Sequence, residues 1–221
     1  MTTAAPDRSP KLRITEIFSS LQGESTRVGL PTVFVRLSGC PLRCVWCDTK
    51  YAFQGGESRS VEAIVEDVAA RGIAHVCVTG GEPLAQKACV PLLKALCDAG
   101  FSVSLETSGA LDISVVDPRV SRIVDLKAPG SGEVDRNRWE NLPLLNERDE
   151  IKIVLADEAD YGWAKARISE HDLARCCTVL LSPVQGKLDP ALLADWIVRD
   201  RLPVRFQLQL HKLLWSDARG R

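Results

Sequence analysis

The sequence predicts an α/β fold, an abbreviated and incomplete (β/α) barrel with mostly parallel strands. Two observations predict it. Short apolar runs of strand length alternate with amphipathic helical segments along the chain, the pattern of a parallel sheet covered by helices. The 221 residues are too few for a full eight-fold barrel of about 250 residues. Functional loops in such a fold leave the C-terminal ends of the strands.

The elements follow in order. Residues 12–19 and 32–37 read as strands. Residues 60–71 read as a helix, with Ser60 as cap and an apolar stripe of Val61, Ile64, Val65, Val68 and Ala69. A strand over 74–79 runs into Gly80-Gly81, and a helix over 87–99 precedes a strand over 101–105. Further strands are expected at 122–126, 151–155, 178–181 and 204–207. Helices are expected at 161–170 and at 190–200, where Pro190 occupies the first turn and its missing N–H costs nothing. Gln207, Gln209 and His211 recur with period two, which on a strand would put them on one face; the interleaved Leu208 and Leu210 equally fit a half-buried edge strand. Residues 1–11, with Pro6 and Pro10, are expected as a flexible tail, and 12–221 as a single domain that includes the C-terminal segment.

Composition narrows the function. The chain is 45% hydrophobic and 26% charged, as expected of a globular protein, and its net charge of -1 offers nucleic acid no broad attraction. No apolar stretch has the roughly 18 residues that a membrane span needs, and the N-terminus lacks the apolar core of a signal peptide. The uneven distribution of the eight cysteines favours a reducing compartment, and a cytoplasmic location is expected.

Cys40, Cys44 and Cys47 form a CxxxCxxC segment after the apolar run Phe34-Val35-Arg36-Leu37. Thiolates are soft ligands for iron–sulfur clusters or zinc. A closed zinc site takes four ligands, whereas three cysteines on a [4Fe–4S] cube leave one iron open to react. A zinc knuckle with a remote fourth ligand and buried thiols without metal are the alternatives. Gly80-Gly81-Glu82-Pro83 follows a strand; its glycines let backbone approach a ligand and Glu82 offers an acceptor to an ammonium, although a tight turn accounts for it equally. Gln22-Gly23-Glu24 and Arg36 could meet ring N–H groups and a carboxylate, and Asp48-Thr49 offers oxygen ligands to a hard cation or a helix cap. Glu106-Thr107-Ser108-Gly109, Asp125-Leu126-Lys127 and Ser182-Pro183-Val184 stand at strand ends, where polar contacts or plain connections both fit. Cys77, Cys89, Cys97, Cys176 and Cys177 read as small buried hydrophobes.

Taken together these motifs resemble the radical S-adenosylmethionine (SAM) enzymes: Cys40-x-x-x-Cys44-x-x-Cys47 with Trp46 before the last cysteine, then Gly80-Gly81-Glu82-Pro83. Within them the chain is similar to the 7-carboxy-7-deazaguanine synthase (QueE-type) family. The similarity lies in Leu21-Gln22-Gly23-Glu24, Phe34-Val35-Arg36-Leu37, Cys47-Asp48-Thr49-Lys50-Tyr51, Glu106-Thr107-Ser108-Gly109, Asp125-Leu126-Lys127 and Gln209-Leu210-His211-Lys212. One departure is Ser25, where the family often has glycine; if that position needs a positive φ, Ser25 is strained or the loop differs.

The resemblance implies an abbreviated radical-SAM barrel and a homodimer. It implies that Cys40, Cys44 and Cys47 ligate a [4Fe–4S] cluster whose open iron SAM chelates. Gly80, Gly81, Glu82, Trp46, Glu106, Lys127, Ser131, Ser182, Pro183 and Val184 would contact SAM. Gln22, Gly23, Glu24, Arg36, Thr79 and His211 would recognise 6-carboxy-5,6,7,8-tetrahydropterin, and Mg²⁺ would bind at Thr49 with Asp48 nearby. No side chain is assigned the radical step: a 5′-deoxyadenosyl radical from SAM would abstract hydrogen from C6. Ring contraction and ammonia loss would then yield 7-carboxy-7-deazaguanine for queuosine or other deazapurines. A flavodoxin or ferredoxin would supply the electron. A glycyl-radical activase, or a non-enzymatic zinc-binding adaptor, would share the cysteines but not the remaining motifs.

Overall fold

The computed structural model describes residues 9–216 and 218–221. Among the described residues nine strands form one sheet in the order β3-β1-β2-β4-β5-β6-β7-β8-β9. They are β1 (Lys11–Leu21), β2 (Pro31–Leu37), β3 (Glu57–Ser60), β4 (His75–Gly80), β5 (Ser102–Thr107), β6 (Ser121–Lys127), β7 (Glu150–Leu155), β8 (Thr178–Pro183) and β9 (Arg205–Phe206). Pairing from β2 through β9 is parallel, while β1 pairs antiparallel with both β2 and β3. The result is an open, incomplete barrel.

Helices α1 (Val61–Ala70), α2 (Cys89–Asp98), α3 (Glu158–Glu170) and α5 (Pro190–Asp200) cover the outer face, with a short α4 (Leu173–Cys176) before β8 and α6 (Leu210–Trp215) near the C-terminus. Ile64 and Val68 of α1, Leu92, Leu93 and Leu96 of α2, Ala164 and Ile168 of α3, and Leu193 and Ile197 of α5 join Val33, Val35, Val76, Val78, Ile151 and Ile153 in one core. Side chains alternate across a strand, so the neighbours of these residues face inward. Phe34 and Arg36, Ile123 and Asp125, and Lys152 and Val154 line a central cavity. The period of two thus gives β2, β6 and β7 an apolar outer row and an inner row that mixes polar with apolar side chains.

The helix starts follow the sequence. Ser60 accepts from the Ala63 N–H, and Asp189 caps α5 with Pro190 in its first turn. The helix expected at 161–170 begins earlier, at Glu158, because Asp157 accepts from the Asp160 N–H. Three expectations change. The strand expected at 204–207 shrinks to Arg205–Phe206, and the chain turns into α6 at Leu210, so His211 lies on a helix. The first strand starts at Lys11, inside the segment expected as a tail; residues 1–8 of that segment lie outside the described residues. β3 has no apolar alternation and exists through its pairing with β1. Among the described residues no helix is long and apolar enough to cross a membrane.

Candidate active site

The inner row opens into a cavity of about 340 Å³. Cys40, Cys44 and Cys47 lie in the loop that leaves β2, all as free, half-buried thiols that line this cavity. The loop is held by its own backbone and by Arg43, whose guanidinium donates to the Cys40 and Leu42 carbonyls at 2.8 and 2.6 Å and lies over the Phe53 ring. The Val45 N–H donates to the Ser131 carbonyl at 3.0 Å. Burial pushes the Cys40 and Cys44 thiols up, while the Lys127 ammonium pulls the other way. Among the described residues no three His, Cys, Asp or Glu side chains are gathered around the point that a single metal ion would occupy. The donor set, three soft thiols on one loop opening on one cavity, fits an iron–sulfur cluster.

Gly80 and Gly81 are required by close packing against that loop. A β-carbon on Gly80 would stand 2.3 Å from the Leu37 carbonyl oxygen, and one on Gly81 would stand 2.3 Å from that of Gly39. The Glu82 N–H donates to the Gly39 carbonyl at 2.8 Å, so the turn and the start of the cysteine loop are one unit. The Glu82 side chain is turned toward the protein. It is fully buried behind the cavity wall, where it accepts from the Leu84 N–H, the Thr107 hydroxyl and both the N–H and hydroxyl of Ser108. Its carboxylate ties the β4 end to the β5 end and has no face toward a ligand.

Other expected residues separate in the same way. Trp46, Glu106, Lys127 and Val184 line the cavity, and Lys187 stands 5.6 Å from the Trp46 ring centre. Ser131, Ser182 and Pro183 are buried outside its lining. The Ser131 hydroxyl donates to the Ala128 carbonyl at 2.6 Å, which makes it part of the turn.

Gln22, Gly23, Glu24, Arg36, Thr79 and His211 all meet at the cavity. Glu106 accepts from the Thr79 hydroxyl at 2.9 Å and from the Gln22 amide at 3.4 Å. Arg36 donates through Nε to Glu16 at 2.7 Å, and Glu16 also accepts from the Tyr51 hydroxyl at 2.8 Å. Burial alone would raise the Glu24 carboxyl, but the Lys152 ammonium, the Gln209 amide and His211 together outweigh it and hold the group down at about 2. Asp48 and Thr49 also line the cavity; Asp48 pairs with Lys212 at 3.3 Å, and the Thr49 hydroxyl lies 3.7 Å from the Cys47 sulfur.

Lys152 and Glu16 were not singled out by the sequence, and Gln207 only as part of a period-two run. Lys152 had a signal: a charge at the centre of the apolar strand Ile151-Lys152-Ile153 must face a polar interior. Gln207 seals the barrel where no strand does. Its amide accepts from the Ser25 N–H and donates to the Ser25 carbonyl, both at 2.8 Å, and so bridges the β9 end to the loop after β1. Ser25 has φ +65° and is buried, the left-handed backbone on which the departure from glycine turned.

The Radical SAM superfamily model matches residues 34–127, the stretch that carries both the cysteine loop and the Gly80-Gly81 turn. That match covers the part of the chain that holds the site and points to the radical SAM class. The 7-carboxy-7-deazaguanine synthase of Chlorobaculum tepidum is 51% identical over 224 residues and covers 100% of each chain. That of Koribacter versatilis is 42% identical over 93% of this chain and 97% of its own. The crystal structure of QueE from Escherichia coli superposes with a TM-score of 0.76 at 26% identity, over 91% of this chain and 95% of that one. The chain belongs to the 7-carboxy-7-deazaguanine synthase family.

Proposed function

We propose that this protein is a 7-carboxy-7-deazaguanine synthase. It contracts the ring of 6-carboxy-5,6,7,8-tetrahydropterin to 7-carboxy-7-deazaguanine with loss of ammonia, in queuosine or related deazapurine biosynthesis. The observation that carries this reading is a single cavity with three free thiols and, on its inner strand rows, groups suited to a carboxylated hydrogen-bonding heterocycle.

Radical SAM proteins of this family use a [4Fe–4S] cluster and SAM, which together supply the homolytic chemistry that begins hydrogen abstraction. Cys40, Cys44 and Cys47 would hold the cluster. Gly80 and Gly81 present backbone beside it, Glu106 and Lys127 offer an acceptor and a donor to the polar groups of SAM, and Trp46 and Val184 offer apolar surface. Glu82 fixes the turn from behind. Glu24, an ionised acceptor, and Gln22 read ring N–H and carbonyl edges, while Arg36, Thr79 and His211 complete the polar surround. The Asp48 carboxylate and Thr49 hydroxyl are hard oxygen donors that fit Mg²⁺ bound to the substrate carboxylate. The protein orients and encloses; the cofactor performs the difficult bond cleavage. A flavodoxin or ferredoxin as electron donor, a homodimer and a cytoplasmic setting complete the proposal.

The test is anaerobic turnover with reductant, SAM, Mg²⁺ and the carboxypterin, read by mass spectrometry. The expected products are 7-carboxy-7-deazaguanine and ammonia, with deuterium from substrate C6 entering the 5′-deoxyadenosine and SAM pool. An intact cluster that cleaves SAM without converting the pterin would favour an activase, and absence of an iron–sulfur cluster would favour the zinc-binding adaptor.

A further inference from the structure

Four charged side chains of alternating sign cross the cavity. Lys152 Nζ lies 2.5 Å from Glu24 Oε2 and 3.4 Å from Asp125 Oδ2, and Asp125 Oδ2 lies 3.1 Å from Lys127 Nζ. The other Glu24 oxygen accepts from the Gln209 amide at 2.6 Å. The side chains of all four are between 12 and 18% exposed, and all four line the cavity. A buried ammonium or carboxylate is costly unless it is paired, and here the pairing is serial: each inner member of the row serves two partners.

We infer that Lys152, which no motif assigns, is a positioning residue for the pterin: it holds Glu24 in one place and in its ionised form, with Asp125 anchoring Lys152 from the opposite side. The inference rests on the proposed function, in which Glu24 accepts from ring N–H groups. An ionised carboxylate only accepts hydrogen bonds, whereas a protonated one presents a donor that would face the substrate's own donors. Geometry matters as much as charge. Glu24 stands on the loop after β1, away from the strand rows, so its direction depends on Lys152 from β7 and Gln209 from the C-terminal segment. The other titratable groups acting on this cluster are His211, whose influence on Glu24 is of the same sign as that of Lys152, Glu106, which acts on Lys152, and Cys44, which acts on Lys127. Without Lys152 the burial of Glu24 would dominate and favour its neutral form.

The test compares Lys152→Met, Lys152→Arg and Lys152→Met/Glu24→Gln in the cluster-loaded protein. Infrared spectra without substrate read the protonation of Glu24. Lys152→Met is expected to gain a protonated-carboxyl C=O band at neutral pH that is absent from the wild type and from the double variant. Its kcat/KM for the carboxypterin is expected to fall about ten- to a hundredfold, the effect of losing a charge-assisted hydrogen bond, and to fall further as pH is lowered. Lys152→Arg should restore most of the loss. A Lys152→Met protein without the band, or with wild-type efficiency and pH profile, would overturn the inference. Should Lys152→Met fail to fold, Lys152→Gln removes the charge while keeping a donor, with the same two outcomes. A wild type that cleaves SAM but does not turn over the pterin would defeat the functional reading instead, and the infrared band would still decide whether Lys152 sets the state of Glu24.

Discussion

His211 packs directly against Gly23: a β-carbon on Gly23 would lie 2.2 Å from Nδ1 of His211. The two backbones are also joined, since the Leu210 N–H donates to the Gly23 carbonyl at 2.9 Å. The C-terminal segment therefore seats His211 in the cavity only because residue 23 has no side chain. Gly23→Ala must push the imidazole or the segment away. Product formation is expected to fall at least about tenfold, a loss that a misplacement of about 1 Å can produce, while iron content stays at the wild-type level. Wild-type turnover in Gly23→Ala would show that His211 has room to move without consequence.

The cysteine loop makes a separate prediction. Cys40, Cys44 and Cys47 are partly exposed to the cavity and outside the apolar core, so an alanine at any of them removes a proposed cluster ligand with little loss of packing. Each single variant should fold, by circular dichroism, but lose cluster iron and reductive SAM cleavage. Retention of both in all three variants would remove the cysteines from the site.

Gln207 and Ser25 give a prediction about stability. Gln207→Leu leaves the buried Ser25 N–H without its partner and the Ser25 carbonyl with only the Val28 N–H at 3.3 Å. An unsatisfied buried group costs about 1–3 kcal/mol, so urea unfolding should show a loss of about 2 kcal/mol. Ser25→Gly, which suits φ +65° better, should cost far less because glycine adopts that conformation freely. A Gln207→Leu protein as stable as wild type would mean that the loop finds other partners.

The alternation of strands and helices was legible because outer-row residues such as Val33, Val35, Ile151 and Ile153 pack on helices whose stripes repeat at helical spacing. What local pattern cannot carry is closure. Gln207, Gln209 and His211 do converge on one loop, through Ser25, Glu24 and Gly23, but they do so from a chain that turns into α6 and not from a strand. β3 was invisible because Glu57-Ser58-Arg59-Ser60 has no apolar residue, and its existence depends on β1 as partner. The partners of Glu82 were hidden for a related reason. An acidic residue after two glycines resembles a ligand, and only the parallel pairing of β4 with β5 brings Thr107 and Ser108 close enough to consume its oxygens.

The Mg²⁺ site proposed at Asp48 and Thr49 predicts a magnesium dependence. Thr49→Ala removes one hard donor but leaves Asp48, which pairs with Lys212. The variant should keep its cluster and require about tenfold more Mg²⁺ for half-maximal turnover, the loss of one favourable contact of about 1.4 kcal/mol. An unchanged Mg²⁺ titration would take Thr49 out of the ion's coordination.

Acid stability tests the Glu24–Lys152 pair without any cofactor. Burial raises the Glu24 carboxyl, yet Lys152 and the Gln209 amide more than offset this and bring it from 4.5 down to about 2. A carboxyl whose folded value is depressed binds protons more readily in the unfolded chain at intermediate pH. Its contribution to stability is therefore fully present above 4.5 and is lost as pH falls from 4.5 toward about 2. Other carboxylates titrate in the same window, so the informative quantity is the difference between wild type and Glu24→Gln in denaturant unfolding. That difference should favour the wild type near neutral pH and shrink steadily below 4.5. In a Lys152→Met background the advantage of Glu24 over glutamine should be lost at neutral pH, because no ammonium remains to offset the burial. A difference that stayed constant across the acidic range in the wild-type background would show that Glu24 titrates alike in the folded and unfolded chain, and that Lys152 does not hold its charge.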